Sequence, residues 1–442
     1  MGHSLDYKIT RLGLPILIGQ LGTIVVGFAD TAMVGHHSTA ELASASFVNN
    51  LFNVAIFTLL GFSYGLTPIV GALFGAGKRS DIGATMRNAI VANLGFGLLV
   101  GAIMLAVYFN LGRLGQPVEL LPLIRPYYLI YLSGIVPLAL FNAFAQWAYA
   151  INRTRMPMWI ILISNVVNIA GNYAFIYGRW GMPEMGLNGA GVSTLLARVF
   201  CAVAIIVIFC TRRDYGIYRA GLKSGKLTGR SLKEITFTSV PVSLQMGFES
   251  GSFTAAAVMA GWLGALDLAA YQVTVILGTL GFCIYYSMGA ATSIMVANAA
   301  GVNDRKLMRR TAYAGYRIIL TLATISSLIF FFLARPILTV FTSDPAVIAL
   351  SLTLIFPLIL YQLGDATQIT FANALRGTSK VMPMMWISLI SYVVIGMPAT
   401  YILAFTCEMG LYGIILSFSV SLFIAGALFL YFFQRATRKT QG

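Results

Sequence analysis

Residues 15–43 read PILIGQLGTIVVGFADTAMVGHHSTAELA, and residues 241–269 read PVSLQMGFESGSFTAAAVMAGWLGALDLA. Both stretches begin with proline, continue as long apolar runs, and carry one acid deep within the run. A shift of 226 residues superimposes them without a gap, and the identical pairs include Pro15 and Pro241, Met33 and Met259, and Gly35 and Gly261. Self-similarity at a fixed spacing predicts that the chain is one structural unit, duplicated.

The composition predicts a membrane protein. Of the 442 residues, 58% are hydrophobic and only 10% are charged. This fraction of charged residues is less than half of that in an ordinary soluble domain. The net charge is +15, but the bases lie in short clusters between apolar runs and form no basic face interleaved with aromatic side chains. We therefore expect the lipid bilayer as a partner and no binding of nucleic acid.

Twelve segments are long and apolar enough to cross a bilayer as helices. Their approximate limits are 11–34, 46–74, 83–109, 124–150, 157–178, 187–211, 234–262, 270–300, 310–333, 346–374, 382–405 and 410–434. Of the Lys and Arg residues in the loops and near the ends of these spans, 23 fall on one side of the membrane and 4 on the other. Because basic loops stay in the cytoplasm, we expect a multi-pass protein of the bacterial inner membrane with both termini cytoplasmic.

These spans and the duplication together predict an all-α integral membrane protein of two six-helix bundles. We expect an N-terminal bundle in residues 1–212, a basic cytoplasmic linker in 213–232 and a C-terminal bundle in 233–442. Each half has six spans, so both enter the membrane in the same sense and a pseudo-twofold axis along the membrane normal relates them. Two such bundles enclose a cleft that opens alternately to either side, as a transporter requires. The linker has a second interpretation, an ordered amphipathic segment on the membrane surface.

Three acids, Asp30, Glu249 and Asp365, fall well inside the spans. An ionised carboxylate near the bilayer centre costs about 2.5–3.5 kcal/mol, so each acid needs a bound cation, a proton or a buried arginine. The duplication does not explain these acids, because Asp30 aligns with Ala256 and Glu249 aligns with Thr23. We therefore expect each acid to serve a chemistry that is specific to its own half.

Polar side chains recur at helical spacing beside these acids. They are Gln20 on the face of Asp30, Asn168 and Asn172 one turn apart, Gln245 one turn before Glu249, and Tyr361 one turn before Asp365. Asp30 and the two asparagines supply oxygen ligands suited to a hard cation such as Na⁺. The alternative is that the polar stripes only join neighbouring helices by hydrogen bonds.

The remaining motifs argue against an enzyme. The stretch GALFGAGKRS at 71–80 has the wrong spacing for a Walker A loop and has Arg79 where Ser or Thr is needed. No nucleophile triad or metal-ligand pattern is present, and the four cysteines form no CxxC pair. We expect no catalytic residue and no cofactor beyond a coupling ion. Arg198, in the middle of the sixth span, either pairs with an acid or is a weaker candidate for the binding site.

At these residues the chain resembles the multidrug and toxic compound extrusion (MATE) transporters, and within them the bacterial NorM-type branch. The resemblance covers essentially the whole chain. It rests on FADTAMVG around Asp30, NVVNIAGNY with Asn168 and Asn172, MGFESGSF around Glu249, YQLGDATQ with Tyr361 and Asp365, LDLAAYQV with Gln272, and the NALRGTSKVMP loop. It implies alternating-access export of cationic, amphiphilic, drug-like molecules in exchange for Na⁺ or H⁺, and we expect a monomer.

The resemblance also implies two binding regions. Glu249, Asp365 and Tyr361 would form the cation and substrate region of the second half, with a possible Na⁺ there, and Gln272 is a further binding candidate. Asp30, Asn168 and Asn172 would form the ion site of the first half.

Three matters stay open from the sequence. A buried carboxylate either coordinates Na⁺ or holds a proton, so the coupling ion is not identified. The nearest rival function is a lipid-linked oligosaccharide flippase of similar architecture, whose phosphate-bearing cargo calls for several bases, whereas this chain offers three buried acids and one strong candidate base. A channel or receptor is a third class, disfavoured by the duplicated design.

Overall fold

A computed structural model describes residues 4–114 and 117–438 of the chain. Twelve long helical segments follow one another at the positions that the hydropathy predicts, which confirms the expected all-α membrane fold. They are α1 (Leu5–His37), α2 (Thr39–Gly75), α3 (Arg79–Phe109), α4 (Val118–Ala150), α5 (Arg155–Ile176), α6 (Leu187–Thr211), α7 (Gly229–Leu263), α8 (Ala265–Gly301), α9 (Arg305–Phe341), α10 (Pro345–Thr353 and Ile355–Gly377), α11 (Met382–Thr406) and α12 (Gly410–Thr437).

Not all twelve helices are equally apolar. Ten pass a test of length and hydropathy for crossing a membrane, and α10 joins them when its two pieces, bent by 54°, are taken as one span. The remaining helix, α7, is 35 residues long but is rich in Ser, Thr and charged residues. The helix that does not pass this test is thus the one that carries Glu249.

Two helices depart from a regular α-helical course. In α2 the break lies at Gly65, where an added Cβ would stand 2.4 Å from the backbone of Ser239 in α7. In α11 the hydrogen-bond pattern is π-helical over Leu389–Gly396 and again over Ile402–Thr406. Because π-helical turns occur frequently at functional sites, these parts of α11 are candidates for a functional role.

The chain divides by packing into two compact units. The first contains Ile18–Ser243, and the second contains the described residues up to Leu17 together with those from Leu244 onward. The two divisions fall inside α1 and α7 and are 226 residues apart, which is the same shift that relates the sequence repeats. The domain limits at 212 and 233 remain a sequence-based prediction.

The segment between α6 and α7 is ordered. A short helix, Gly216–Ser224, lies on α3, where an added Cβ at Gly83 would stand 2.2 Å from the carbonyl oxygen of Tyr218. Tyr218 also contacts the buried Trp147, with ring centroids 5.5 Å apart. Nη1 of Arg219 donates to the carbonyl oxygen of Phe209 at 2.8 Å, which satisfies the C-terminal end of α6.

Candidate functional site

The first unit brings the predicted trio of Asp30, Asn168 and Asn172 together. Nδ2 of Asn172 donates to Oδ1 of Asp30, and to Oδ1 of Asn168 at 3.2 Å. Asn168 in turn donates to the hydroxyl of Thr194 at 3.3 Å. Both asparagines are buried. The result is a chain of hydrogen bonds from α1 through α5 to α6, ending on a carboxylate.

Small residues allow these helices to come within reach of one another. An added Cβ at Gly22 in α1 would stand 2.7 Å from Nδ2 of Asn165 in α5. An added Cβ at Gly171 in α5 would stand 2.9 Å from the hydroxyl of Ser193 in α6. Close approach at small residues is a general way in which membrane helices pack, and here it places Asp30 beside the asparagines.

Arg198 lies close to this cluster but uses another partner. Its guanidinium stands 4.3 Å from the centroid of the Tyr131 ring, and its Nη1 donates to the Tyr131 carbonyl oxygen at 3.4 Å. It is within electrostatic reach of Asp30, yet the described residues contain no ion pair between the two. A cation over an aromatic ring is stabilised by about 0.5–2 kcal/mol, so the ring takes the place of the acid that the sequence suggested.

The second unit holds two buried acids in electrostatic reach of each other. Nε2 of Gln245 donates to Oε2 of Glu249 at 3.2 Å, one turn away on α7. Asp365 on α10 is only 1% exposed, and its carboxylate lies within electrostatic reach of Glu249. Oδ2 of Asp365 has no hydrogen-bond partner among the residues that the structure describes.

Asp365 is one of several buried polar groups in this unit that lack a protein partner within the described part of the chain. Other such atoms include Oε1 and Nε2 of Gln362, Oε1 of Gln368, and the hydroxyls of Ser388, Ser391 and Tyr392. Buried polar atoms without partners are rare in proteins, and bound water or a bound ion is a common reason for them. Tyr392, in the π-helical part of α11, is also within electrostatic reach of Glu249 and Asp365.

Tyr361 is the aromatic member of the second site. Its ring centroid lies 6.3 Å from that of Phe253 and 6.4 Å from that of Phe418. An added Cβ at Gly278 in α8 would stand 3.4 Å from the Tyr361 ring, so α8 fits closely against it. Tyr361 therefore joins the acids to an aromatic wall that suits apolar parts of a ligand.

Glu249 also lines a small pocket that contains a base. The pocket is lined by Gln245, Met246, Glu249, Phe282, Tyr286, Gln368, Ile369, Ala372, Asn373, Arg376 and Met384. The sequence assigned Arg376 to a basic loop, and this assignment is wrong, because α10 continues to Gly377 and buries the side chain to 3% exposure. Its guanidinium donates to Oδ1 of Asn373 and, at 3.4 Å, to the Tyr286 hydroxyl. The only feature of the sequence that could have placed Arg376 in the helix is its spacing of three residues from Asn373, which puts both on one helical face.

Two further glutamines, Gln272 and Gln20, are binding candidates from the sequence. Gln272 is exposed on α8, next to Tyr271, whose hydroxyl donates to the Phe253 carbonyl oxygen at 3.0 Å. Gln20 is half-buried on α1, almost three turns before Asp30. No described hydrogen bond joins either glutamine to an acid. The candidate site therefore consists of two groups of carboxylate, amide and hydroxyl oxygens, which is a donor set for a hard cation or a proton.

Comparison with known families repeats the pattern of the duplication. The sequence model of the MatE family matches twice, at residues 15–174 and 241–402, so the two matches begin 226 residues apart. This confirms the internal repeat. A second model, for the lipid II flippase MurJ, matches residues 124–250 alone.

Individual proteins agree with the family match. The chain is 30% identical to a probable multidrug resistance protein NorM of Geobacillus kaustophilus, over 97% of this chain and 94% of that protein. Its fold is similar to that of the eukaryotic MATE transporter AtDTX14, with a TM-score of 0.88 at 17% identity over 98% and 97% of the two chains. It is also similar to a MOP superfamily transporter from Pyrococcus furiosus, described as having a binding pocket of reverse polarity, with a TM-score of 0.89 at 18% identity over 99% and 98%.

Proposed function

This chain belongs to the MatE family of membrane transporters, and from this premise we propose its function. The protein is a secondary active multidrug efflux antiporter of the bacterial NorM type. The finer part of the proposal is that its substrates are cationic amphiphiles and that Na⁺ or H⁺ entering the cell drives their export. The observation that carries this finer part is the buried pair Glu249 and Asp365, in a unit where several buried polar atoms have no protein partner among the described residues.

The mechanism is competition for buried negative charge. A carboxylate in a membrane protein is costly while it is ionised and unpaired, so either a drug cation or the coupling ion lowers its energy. Since one carboxylate cannot be neutralised by both at once, binding of the ion displaces the drug. If the two bound forms favour opposite openings of the transporter, exchange across the membrane follows from this exclusion.

The second unit supplies the groups for both ligands. Glu249 and Asp365 provide charge, Gln362 and Tyr392 provide neutral oxygens, and Tyr361 provides a ring face that attracts cations. In the first unit Asp30, with Asn168 and Asn172, forms a second ion site whose members are joined by side-chain hydrogen bonds, while Oδ1 of Asn172 has no partner among the described residues. We assign it to ion coupling and not to drug contact, because amides occupy the space beside its carboxylate.

The deciding experiment measures efflux of a fluorescent organic cation from proteoliposomes under separately imposed Na⁺ and H⁺ gradients. The native chain is compared with Asp365→Asn and with Glu408→Gln, which removes an exposed acid in the same unit. Export that follows one gradient, is lost in Asp365→Asn and persists in Glu408→Gln supports the proposal and identifies the ion. Folded protein that moves no cation under either gradient overturns it.

The rival function is a lipid-linked oligosaccharide flippase. Its support is the MurJ match, which spans only residues 124–250, and the buried Arg376, which adds one base to the second unit. The same unit holds two buried acids, and a phosphate-bearing cargo would meet both of them. In the same proteoliposomes, translocation of a labelled lipid-linked sugar, without transport of the organic cation, would favour the flippase.

The orientation of the chain is also a proposal. We propose that both termini are cytoplasmic in the bacterial inner membrane and that the protein works as a monomer. The clustered bases support the orientation. When the buried Arg376 is left out of the count, Lys and Arg residues are still in large excess on the cytoplasmic side. Reporter fusions that fluoresce only in the cytoplasm test it: fusions at both termini should fluoresce, and a dark C-terminal fusion of a stable protein would contradict it.

A further inference from the structure

A histidine lies between two carboxylates at the C-terminal end of α1. Nδ1 of His37 is 2.7 Å from Oε2 of Glu41, which lies in the first turn of α2. Nε2 of the same ring is 3.0 Å from Oε1 of Glu184, in the loop between α5 and α6. A neutral imidazole has one N–H and can donate to only one carboxylate, whereas an imidazolium donates from both nitrogens. The geometry therefore fits the charged form of His37.

The surrounding loop is folded closely onto this histidine. Gly186 has φ +53°, and an added Cβ there would stand 2.3 Å from Oε1 of Glu41 and 3.0 Å from the His37 ring. Gly178 has φ +62°, and an added Cβ would stand 2.9 Å from the backbone nitrogen of Glu184. Both positions require glycine, since a left-handed backbone and a close contact coincide there. The loop thus presents Glu184 to His37 in a fixed position.

The same end of α1 carries Asp30, two helical turns before His37. Between them, the carbonyl oxygen of Met33 accepts a hydrogen bond from the Tyr177 hydroxyl at 2.8 Å. Asp30 itself accepts from Asn172 on α5. The segment from Asp30 to His37 is therefore fastened to α5 and to the α5–α6 loop at three points, and the His37 contact depends on an imidazole, whose ordinary pKa lies near neutral pH.

We propose that His37 is a positioning residue: in its charged form it bridges Glu41 and Glu184, and so holds the Asp30-bearing end of α1 in place for ion coupling. The inference rests on the proposed function only in giving Asp30 a coupling role. Whether the His37 bridge forms is a structural question, and the first test below answers it independently of transport.

The sign of the pH dependence follows from the groups that face His37. Glu41 faces it from α2, Glu184 from the α5–α6 loop, and the Tyr177 ring lies 6.2 Å away. Two carboxylates favour the imidazolium over the neutral ring. The bridge is therefore complete at acidic pH and is lost as the pH rises and His37 gives up its proton.

The first test is hydrogen exchange of the backbone amides in residues 30–37 and 177–186, at about pH 6 and about pH 8.5, corrected for chemical exchange. In the native protein these amides should be more protected at the acidic pH. His37→Gln should make them exchange about fivefold faster at the acidic pH, as expected for loss of one charge-assisted bridge at a partly exposed site, and should change little at the alkaline pH. His37→Lys keeps a cation there and should hold protection nearly constant across both values.

His36 provides a matched control. It is the adjacent histidine, and its Nδ1 lies 2.7 Å from the carbonyl oxygen of Ala32 in its own helix. His36→Gln should exchange like the native protein at both pH values. The proposal is overturned if His37→Gln leaves exchange unchanged at acidic pH, or if His36→Gln has the same effect as His37→Gln.

The second test is the pH profile of drug export. At acidic pH the native protein should export the drug faster than His37→Gln does. At alkaline pH the two export rates should converge. Equal profiles for both proteins, with altered exchange in His37→Gln, would overturn the link from the bridge to coupling. If Asp30→Asn exports normally, the coupling role of Asp30 in the proposed function fails, while the exchange results still decide whether the bridge exists.

Discussion

The two units solve the problem of a buried carboxylate in different ways. In the first unit, Asp30 is half-buried and accepts a hydrogen bond from Asn172, which is held by Asn168. In the second, Asp365 is almost fully buried and its Oδ2 has no partner among the described residues. A carboxylate that accepts a hydrogen bond from the protein depends less on a ligand than one with an oxygen that lacks a partner. The comparison assigns ligand binding chiefly to the second unit.

The largest effect is expected at the unsatisfied acid. Asp365→Asn keeps the shape of the side chain but removes the charge, so neither a drug cation nor the coupling ion is held. Export per folded protein should fall by about 100-fold, which corresponds to about 2.7 kcal/mol. The measurement is drug efflux in proteoliposomes, with Glu408→Gln as the control. Near-native efflux by Asp365→Asn would remove the distinction between the two units.

A smaller loss is expected at the satisfied acid. Asp30→Asn keeps a group that can accept from Asn172, so the fold of the first unit should persist. Export should fall by about tenfold, because coupling is weakened while the drug site remains. Binding of a fluorescent drug should stay within about twofold of the native affinity, whereas Asp365→Asn should abolish it. Glu119→Gln, which removes an exposed acid of the first unit, is the control, and loss of drug binding in Asp30→Asn would contradict the assignment.

Much of this comparison could be predicted from the sequence, because helical spacing identifies neighbours on one helix. Asn168 with Asn172, and Gln245 with Glu249, are one turn apart and indeed form hydrogen bonds. The twelve spans and the duplication followed from hydropathy and from the fixed shift. These features depend on local geometry, which the order of residues determines directly.

Contacts between different helices were harder to predict. Nothing in the spacing indicates that Tyr392, on a π-helical part of α11, comes within electrostatic reach of Glu249. Arg376 was misassigned because one further turn of α10 converts a loop base into a buried one. Arg198 stands over the Tyr131 ring instead of pairing with an acid. Which helices cross, and at which residue, is decided by packing of whole surfaces.

Arg198 should matter for folding more than for transport. Arg198→Leu removes the contact with the Tyr131 ring and the hydrogen bond to its carbonyl oxygen, at a cost of about 1–2 kcal/mol. The melting temperature in detergent should fall, while efflux per folded molecule stays within about twofold of native. Arg113→Leu, at an exposed arginine of the same unit, should change neither quantity. An Arg198→Leu protein of native stability but without efflux would show that the first unit uses this cation in transport.

The smallest effects are expected at the glutamines of the second unit. Gln245 is buried and donates to Glu249, so Gln245→Ala removes the hydrogen bond that the structure describes on that carboxylate. Its apparent affinity for the coupling ion should change by about fivefold, the size of one hydrogen bond of about 1 kcal/mol. Gln272 is exposed on α8, and Gln272→Ala should stay within about twofold of native. Titration of efflux against the driving ion in both variants checks this order. If Gln272→Ala has the larger effect, ligand recognition extends onto the exposed face of α8, and the buried acids are only part of the second unit's site.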